Sequence, residues 1–302
     1  PGFVSARGRD IHAGPYDDFL QIDASINRGN SGGPTFNLDG KVIGINTAIY
    51  SPNGGSVGIG FAIPSDLAKP VIDQLKAHGK VERGWLGVQI QEVTPEIAKN
   101  LGLPKPEGAL VADVTRGGPA EKIGVKQGDV IIGYDGHQID KLRDLPLAVA
   151  ETPVGEKAQV KIWRDGKEQT LTPTIAEMPA NLQQVARNEK PEPSPKPEVA
   201  SAMGLKLSPL TPEMRRELQV PKSIKGVVVT GVENSSPLAD LGLAPGDVIQ
   251  AINQRPVTSP KEVIAELDAA KKSGGKNLLF LINRHGVNQF VALTVGGSKG
   301  NG

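Results

Sequence analysis

Gly29-Asn30-Ser31-Gly32-Gly33-Pro34 is the stretch of this 302-residue chain whose residue types and spacing come nearest to covalent chemistry. A serine flanked by glycines can present its hydroxyl on a tight turn. The same glycines leave successive backbone N–H groups free to hold a developing oxyanion. A phosphate-cradling loop is excluded, because no Lys follows and the loop does not open a helix. An ordinary glycine-rich turn is the competing account of these six residues. A serine nucleophile also needs a base, and the base an orienting acid. Of the four histidines, only His12 precedes Ser31, in the polar stretch Gly8 to Pro15. His78 falls at a helix end, where a cation beside the terminal carbonyls is sufficient explanation. His137 and His285 fall in turns, and Asp23 is a carboxylate with no base to orient.

The elements that must hold this loop are short strands. Phe19 to Asp23 alternates apolar and polar, as does Val42 to Asn46, and Asp39-Gly40 between them reads as a tight turn. Ser65 reads as the cap of a helix from Asp66 to about His78, with Leu67, Val71, Ile72 and Leu75 on one face and Gly79 ending it. A few strands and one helix make a domain that looks too short.

Beyond this segment one pattern occurs twice. Leu86-Gly87-Val88, Pro119 to Gly124 and Gly128-Asp129-Val130-Ile131 return as Met203-Gly204-Leu205, Pro237 to Gly242 and Gly246-Asp247-Val248-Ile249. The offset is 117 for the first element and 118 for the other two, so one inserted residue accounts for the difference. Each copy closes on a strand, an Arg-x-Gly turn (Arg164 to Gly166, Arg284 to Gly286) and another strand. Ala109 to Ala112 and Gly226 to Val229 read as buried strands, and Ser236 to Leu241 as a short helix with a Ser cap. Asp144 to Ala150 and Lys261 to Ala270 are the longer helices. Between the copies, Asn188 to Ser201 carries prolines at 191, 193, 195 and 197 and reads as an extended spacer. Gly296 to Gly302 is expected to fray.

Composition narrows the classes. Lys+Arg 34 against Asp+Glu 33 gives a net charge of +1, so no dedicated nucleic-acid surface is indicated. No apolar run is long enough for a membrane span. The absence of Cys excludes disulfides, thiolate metal sites and a Cys nucleophile. Hydrophobic residues at 38% and aromatics at 4% suit small β-rich modules better than one large core. The chain opens at Pro1 with no charged or apolar leader, which reads as processing or truncation of the true start.

Asn27 to Pro34, Gly40 to Asn46 and Gly58 to Pro64 together resemble the second barrel of HtrA/DegP-type serine proteases. The copies, opening with Arg83-Gly84-Trp85-Leu86-Gly87-Val88 and carrying Gly-Asp-Val-Ile, resemble that family's PDZ domains. The resemblance covers essentially the whole chain and points to the two-PDZ DegP/DegQ branch. It implies a mainly β fold with some α: the C-terminal half of a chymotrypsin-like double β-barrel (1–82), then two PDZ-like α+β domains (83–178 and 200–302) across a Pro-rich linker (179–199). It implies Ser31 as nucleophile, the N–H groups of Gly29 and Ser31 as the oxyanion hole, and Asn30 as the residue that sets the loop. Asn46, Thr47 and Ala48 would receive substrate as an added strand. Ile26 and Ile45 are walls of a small apolar pocket or ordinary barrel core. His12 matches a surface loop, and the family's triad His and Asp have no counterpart here, so this chain alone is expected to be inactive. Arg83, Trp85, Leu86, Gly87 and Val88 match a loop that receives a peptide carboxylate, although Leu86 and Val88 also suit the repeat core. Met203, Gly204 and Leu205 match more loosely, for weak binding or for assembly. The family implies no cofactor or metal, a periplasmic location, misfolded proteins and hydrophobic chain ends as partners, and a trimer or larger homo-oligomer. The rival expectation is a non-catalytic peptide-binding protein with a degraded protease core.

Overall fold

The computed structural model describes residues 1–11, 14, 16–27, 29–51, 56–179, 200–233, 236, 238, 242–272 and 277–294. The chain divides into two compact units, Pro1–Gly84 with Pro146–Glu151, and Trp85–Leu145 with Thr152–Gly302. No described helix is long and apolar enough to cross a membrane.

The first unit is an antiparallel sheet of β1 (Val4–Arg9), β2 (Phe19–Ile22), β3 (Pro34–Phe36), β4 (Val42–Ile49) and β5 (Gly60–Pro64), in the order β1-β2-β5-β4-β3. Alternation in β2 sends Leu20 and Ile22 inward, where they meet Ile26 and Ala62. Close packing there demands a glycine, since a Cβ at Gly60 would stand 2.9 Å from Ile26 Cδ1. The β3–β4 turn is set by Asn37, whose Oδ1 accepts from the N–H groups of Asp39 and Lys41. Helix α1 (Ser65–His78) ends as its sequence indicates, with Gly79 at φ 70° and its N–H on Leu75 O. Its start differs: Ser65 is itself helical, Pro64 precedes it, and no side chain caps the helix. The expected apolar stripe is also only partly covered. Ala68 is buried and β4 and β5 lie beside the helix, but Ile72 is 42% and Leu75 47% exposed. Phe3, Phe36, Leu38 and Tyr50 are exposed as well.

The second unit holds the second repeat and all of the first except Gly84 and Pro146–Glu151. The first comprises β6 (Gly84–Trp85), β7 (Val88–Glu92), α2 (Pro95–Leu101), β8 (Ala109–Val114), α3 (Pro119–Lys122), β9 (Val130–Tyr134), β10 (His137–Gln138), α4 (Asp144–Glu151), β11 (Val160–Arg164), β12 (Lys167–Leu171) and β13 (Ala176–Glu177). The second comprises β14 (Ala200–Ala202), β15 (Leu205–Pro209), α5 (Pro212–Glu217), β16 (Val227–Val232), β17 (Val248–Ile252), β18 (Arg255–Pro256), α6 (Pro260–Lys272), β19 (Asn277–Arg284) and β20 (Val287–Thr294). Their sheets run β12-β11-β9-β8-β7 and β14-β15-β16-β17-β19-β20, and β6 pairs apart with β13. The proposed spacer is shorter than its prolines indicate, because Ala200 and Ser201 belong to β14, while residues 180–199 lie outside the described residues. The tail from Gly296 and most of the Ser236–Leu241 helix also lie outside them.

The repeats share more than their sequence pattern announces. Thr94 and Thr211 each precede a proline and cap α2 and α5, accepting at 3.3 Å from the N–H of Ile97 and Met214. The Arg-x-Gly turns reverse the chain through positive φ at Asp165-Gly166 and His285-Gly286. The arginine of each turn reaches the aspartate of Gly-Asp-Val-Ile. Arg164 bonds Asp129 through Nε and Nη2, both at 2.6 Å, and Arg284 bonds Asp247 at 2.7 and 2.6 Å. Each Nη2 also donates to a carbonyl, Gly124 O or Gly242 O. Both carboxylates are buried, and each accepts a further N–H, from Lys126 or Ala244. Between the repeats, Val93, Ile97, Leu110 and Val130 share one apolar cluster with Leu279, Leu281 and Phe290. Gln91 there bonds both the N–H and the carbonyl of Phe290.

Removing one partner of a buried, hydrogen-bonded pair leaves the other charge uncompensated. Asp129→Ala is therefore expected to lower stability by about 3–5 kcal/mol in chemical denaturation followed by tryptophan fluorescence. A loss below about 1 kcal/mol would mean that the pair is dispensable.

Candidate active site and peptide-binding loops

Ser31 sits at the exposed tip of the turn joining β2 to β3, and its Oγ donates to Thr47 O at 3.1 Å. Three backbone N–H groups build the turn. The N–H of Asn30 bonds Asn27 O, that of Gly32 bonds Asn46 O, and that of Gly33 bonds Asn30 O. Asn46 returns the contact by donating its N–H to Gly33 O, which ties the turn to β4. The Asn30 side chain closes the base of the turn, accepting from Asn27 N–H at 3.0 Å. Among the described residues the N–H groups of Gly29 and Ser31 donate to nothing. Gly29 at φ 94° and Gly32 at φ 85° supply the left-handed conformations this path requires, which explains both glycines around the serine.

Of the residues proposed to receive substrate, Asn46, Thr47 and Ala48 do lie beside Ser31 on β4. The three residues of β3 pair with β4 only as far as Ile45, opposite Pro34. Past Asn46 that side of β4 has no strand partner among the described residues. Thr35 Oγ1 fixes the Asn46 side chain at 2.7 Å. The two isoleucines are not brought together. Ile26 is 5% exposed within the Leu20–Ile22–Ala62 cluster, whereas Ile45 lines a shallow hollow with Val42, Ala68 and Ile72. Asp23 is occupied by backbone, its Oδ1 accepting from Phe3 N–H. No described imidazole contacts Ser31, and His12 lies outside the described residues. Among the described residues no group of three His, Asp or Glu could hold a metal ion.

The loop between β6 and β7 is a second site. Leu86 is buried, and its carbonyl accepts from Ala120 N–H at 2.9 Å. Gly87 O accepts from Thr115 N–H at 2.8 Å. With both carbonyls turned back into the repeat, the N–H groups of Leu86 and Gly87 are left without an acceptor among the described residues. Paired backbone donors of this kind suit a carboxylate. Gly87 stands at φ 82°, and a Cβ there would meet Gly118 Cα and the Trp85 ring, both at 3.3 Å. Trp85 thus packs the loop from beneath. Val88 begins β7, the last strand of its sheet, so its outer edge is open to an added strand. The Arg83 guanidinium lies over the Tyr16 ring at 5.0 Å. In the second repeat Met203 and Gly204 form the corresponding turn, but it joins β14 directly to β15, and Leu205 pairs with Ala202 on one side and Val232 on the other.

Known proteins resemble the chain along nearly all of its length. The PDZ domain family model matches residues 84–175 and 201–295, and the Trypsin model matches residues 4–72. A protein of Brucella suis named "Probable periplasmic serine endoprotease DegP-like" is 47% identical over 97% of this chain and 55% of its own length. One so named from Rhizobium meliloti is 45% identical over 97% of the chain and 57% of its own length. The chain therefore spans about half the length of the curated relatives it matches. Among solved structures, "HtrA-type protease AlgW with tripeptide" is 45% identical, with a TM-score of 0.53 over 59% of this chain and 60% of that one. "HtrA-type protease AlgW with decapeptide" is 45% identical, with a TM-score of 0.52 over 59% of this chain and 55% of that one.

The Gly87 geometry predicts a local penalty. A side chain at φ 82° is strained by about 1–2 kcal/mol before any contact is counted. Gly87→Ala is expected to lose at least that much in thermal or urea unfolding, and an unchanged midpoint would contradict the loop conformation.

Proposed function

The chain belongs to the PDZ-domain family, in the arrangement of the HtrA/DegP-type serine proteases, and we propose that it carries the nucleophile and oxyanion loop of a serine endopeptidase together with two peptide-binding modules. The observation that carries this reading is the division of labour in the Gly29–Gly33 turn. The N–H groups of Asn30, Gly32 and Gly33 are spent on structure, and among the described residues those of Gly29 and Ser31 are left over. In catalysis Ser31 Oγ adds to the substrate acyl carbon, and the two unspent N–H groups receive the negative oxygen that forms. Each such donor is typically worth a factor of about 10² to 10³ in rate. The open side of β4 past Asn46 holds the substrate backbone as an added strand, with Thr47 and Ala48 as its rail. Asn30 keeps the turn in shape without touching the reacting atoms.

Addition of Ser31 requires a base to take its proton, and an acid behind that base. In this chain Ser31 Oγ donates to Thr47 O instead. We read the chain by itself as inactive in hydrolysis and active in binding. The loop of Leu86 and Gly87 captures the carboxylate of a hydrophobic chain end, while β7 pairs with the residues before it. By kinship with the DegP-like proteins the complete enzyme works in the periplasm on unfolded or misfolded proteins, binds them in a chaperone-like manner, and assembles as a trimer or larger homo-oligomer. The second reading, a non-catalytic peptide-binding protein, is favoured by the Ser31–Thr47 bond. It gives no reason for the two reserved N–H groups.

Unfolded casein separates these readings. The chain alone is expected to cleave it no faster than its Ser31→Ala variant does. Fused behind the amino-terminal half of the Brucella suis relative, it is expected to gain cleavage that Ser31→Ala lowers by about 10³-fold or more. Cleavage that survives Ser31→Ala would remove Ser31 from the mechanism. For the binding loop, a hydrophobic decapeptide with a free carboxyl end is expected to bind about tenfold tighter than its amide, a difference of about 1.4 kcal/mol by calorimetry. Equal affinities would show that the loop does not read the carboxylate.

A further inference from the structure

The two repeats treat the same short segment in opposite ways. In the first, Gly84 and Trp85 pair with β13, and the outer edge of β7 has no partner among the described residues. In the second, the residues at the corresponding offset, Ser201 and Ala202, fold back onto β15 as part of β14. The register is Ala202 with Leu205, Ser201 with Lys206 and Ala200 with Leu207. The reversal takes only two residues, Met203 at φ 50° and Gly204 at φ 78°. Two successive positive φ values are the signature of the tight hairpin that follows the natural twist of paired strands. Leu86, the counterpart of Met203, has no positive φ, and there the chain leaves the sheet instead.

The same second-repeat turn is otherwise built like the first. Gly204 O accepts from Glu233 N–H at 2.8 Å, as Gly87 O accepts from Thr115 N–H. Met203 O accepts from Ser236 Oγ at 2.6 Å, as Leu86 O accepts from Ala120 N–H. Ser236 also crowds Gly204: a Cβ there would stand 2.7 Å from Ser236 Cβ, so only glycine fits this turn. β15 is therefore paired on both sides, with β14 and with β16, and β14 also lies against α6.

We propose that β14 occupies the peptide groove of the second repeat, so that this repeat is closed to chain ends until β14 is displaced. This rests on the reading that an open repeat binds chain ends by strand addition to the edge corresponding to β7. The occupant is the chain's own backbone, which makes the closure independent of concentration. A free peptide must compete with a strand held at the high effective concentration of a two-residue turn. The second repeat then contributes binding only where something draws the segment before Met203 away. The first repeat is the constitutive site.

The test is stoichiometry with a fluorescein-labelled decapeptide ending in three valines and a free carboxylate. The chain as it stands is expected to bind one equivalent. In a two-residue hairpin the N–H groups of Ala200 and Ala202 point at β15, so Ala200→Pro with Ala202→Pro removes both donors. That variant is expected to bind two equivalents, the second at least tenfold tighter than any second site on the parent chain. Amide hydrogen exchange supplies a readout that needs no ligand. The N–H groups of Ala200, Ala202, Leu205 and Leu207 are expected to be protected in the parent chain. In the variant Leu205 and Leu207 are expected to lose protection while Val227 to Val229 keep theirs. Two equivalents on the parent chain, or fast exchange at Ala200 and Ala202, would overturn the proposal, as would one equivalent on a variant whose β15 amides have opened. If neither protein binds the peptide, the chain-end reading fails, and exchange at Ala200 and Ala202 still decides whether the edge is occupied.

Discussion

The aspartate–arginine clasp is the interaction on which both repeats depend. A carboxylate buried as deeply as Asp129 or Asp247 loses several kcal/mol of hydration, and only a partner with matched geometry can return it. Arginine supplies that match with two parallel N–H groups, and its hydrogen bonds to Asp129 hold the Arg164 pKa above its ordinary value. The pair also crosses the fold. Asp129 leads into β9 and Arg164 ends β11, and the Nη2 bond to Gly124 O draws in the loop after α3. Three separate stretches are pinned at one point, which is why the pair recurs in the second repeat with the same three contacts.

Much of this architecture is legible in the sequence because it is local. Apolar runs become β8 and β16, Asp144 to Ala150 becomes α4, and Gly79 ends α1 with a positive φ. The duplicated Gly-Asp and Arg-x-Gly elements are equally visible, yet read one at a time they are two turns. Their partnership shows only in the fact that they return together, about the same distance apart, in both copies. The capping threonines before Pro95 and Pro212 belong to the same class of signal, a fourth repeated element hidden in two ordinary dipeptides. What the sequence misstates depends on neighbours. Ile72 and Leu75 have helical spacing for a buried face, but spacing cannot say whether anything lies opposite. Ile26 reads equally well as pocket wall or core, and its packing with Leu20, Ile22 and Ala62 is compatible with both. Arg83 is adjacent in sequence to the carboxylate loop, and Tyr16 holds its guanidinium.

Unpaired backbone connects the sites. A β-rich fold satisfies its N–H and C=O groups by pairing strands, so each group left over is either solvated or waiting for a ligand. Among the described residues, three such leftovers lie at the candidate sites: the N–H groups of Gly29 and Ser31, the side of β4 past Asn46, and the Leu86–Gly87 turn with the edge of β7. On the proposed reading each would accept main chain or an oxygen that belongs to main chain, so recognition at all three would be of polypeptide as such, with side chains adding preference. The second repeat shows what happens when the same leftover edge meets a segment of its own chain within reach.

The nucleophile turn carries this logic furthest. Its positive-φ glycines and its bonds to Asn46 and Asn27 fix the serine and the reserved donors within twenty residues of chain. That makes the turn recognisable in sequence and self-supporting in structure. A base and its acid act through the proton on Ser31 Oγ and need no share in shaping the turn, so they can be supplied by a separate stretch of chain without disturbing it. The Thr47 carbonyl meanwhile holds the hydroxyl in place at 3.1 Å. On the proposed catalytic reading, the fold of the turn and the chemistry it would serve are separable, since the first is set by bonds within this stretch and the second by a proton acceptor for Ser31 Oγ.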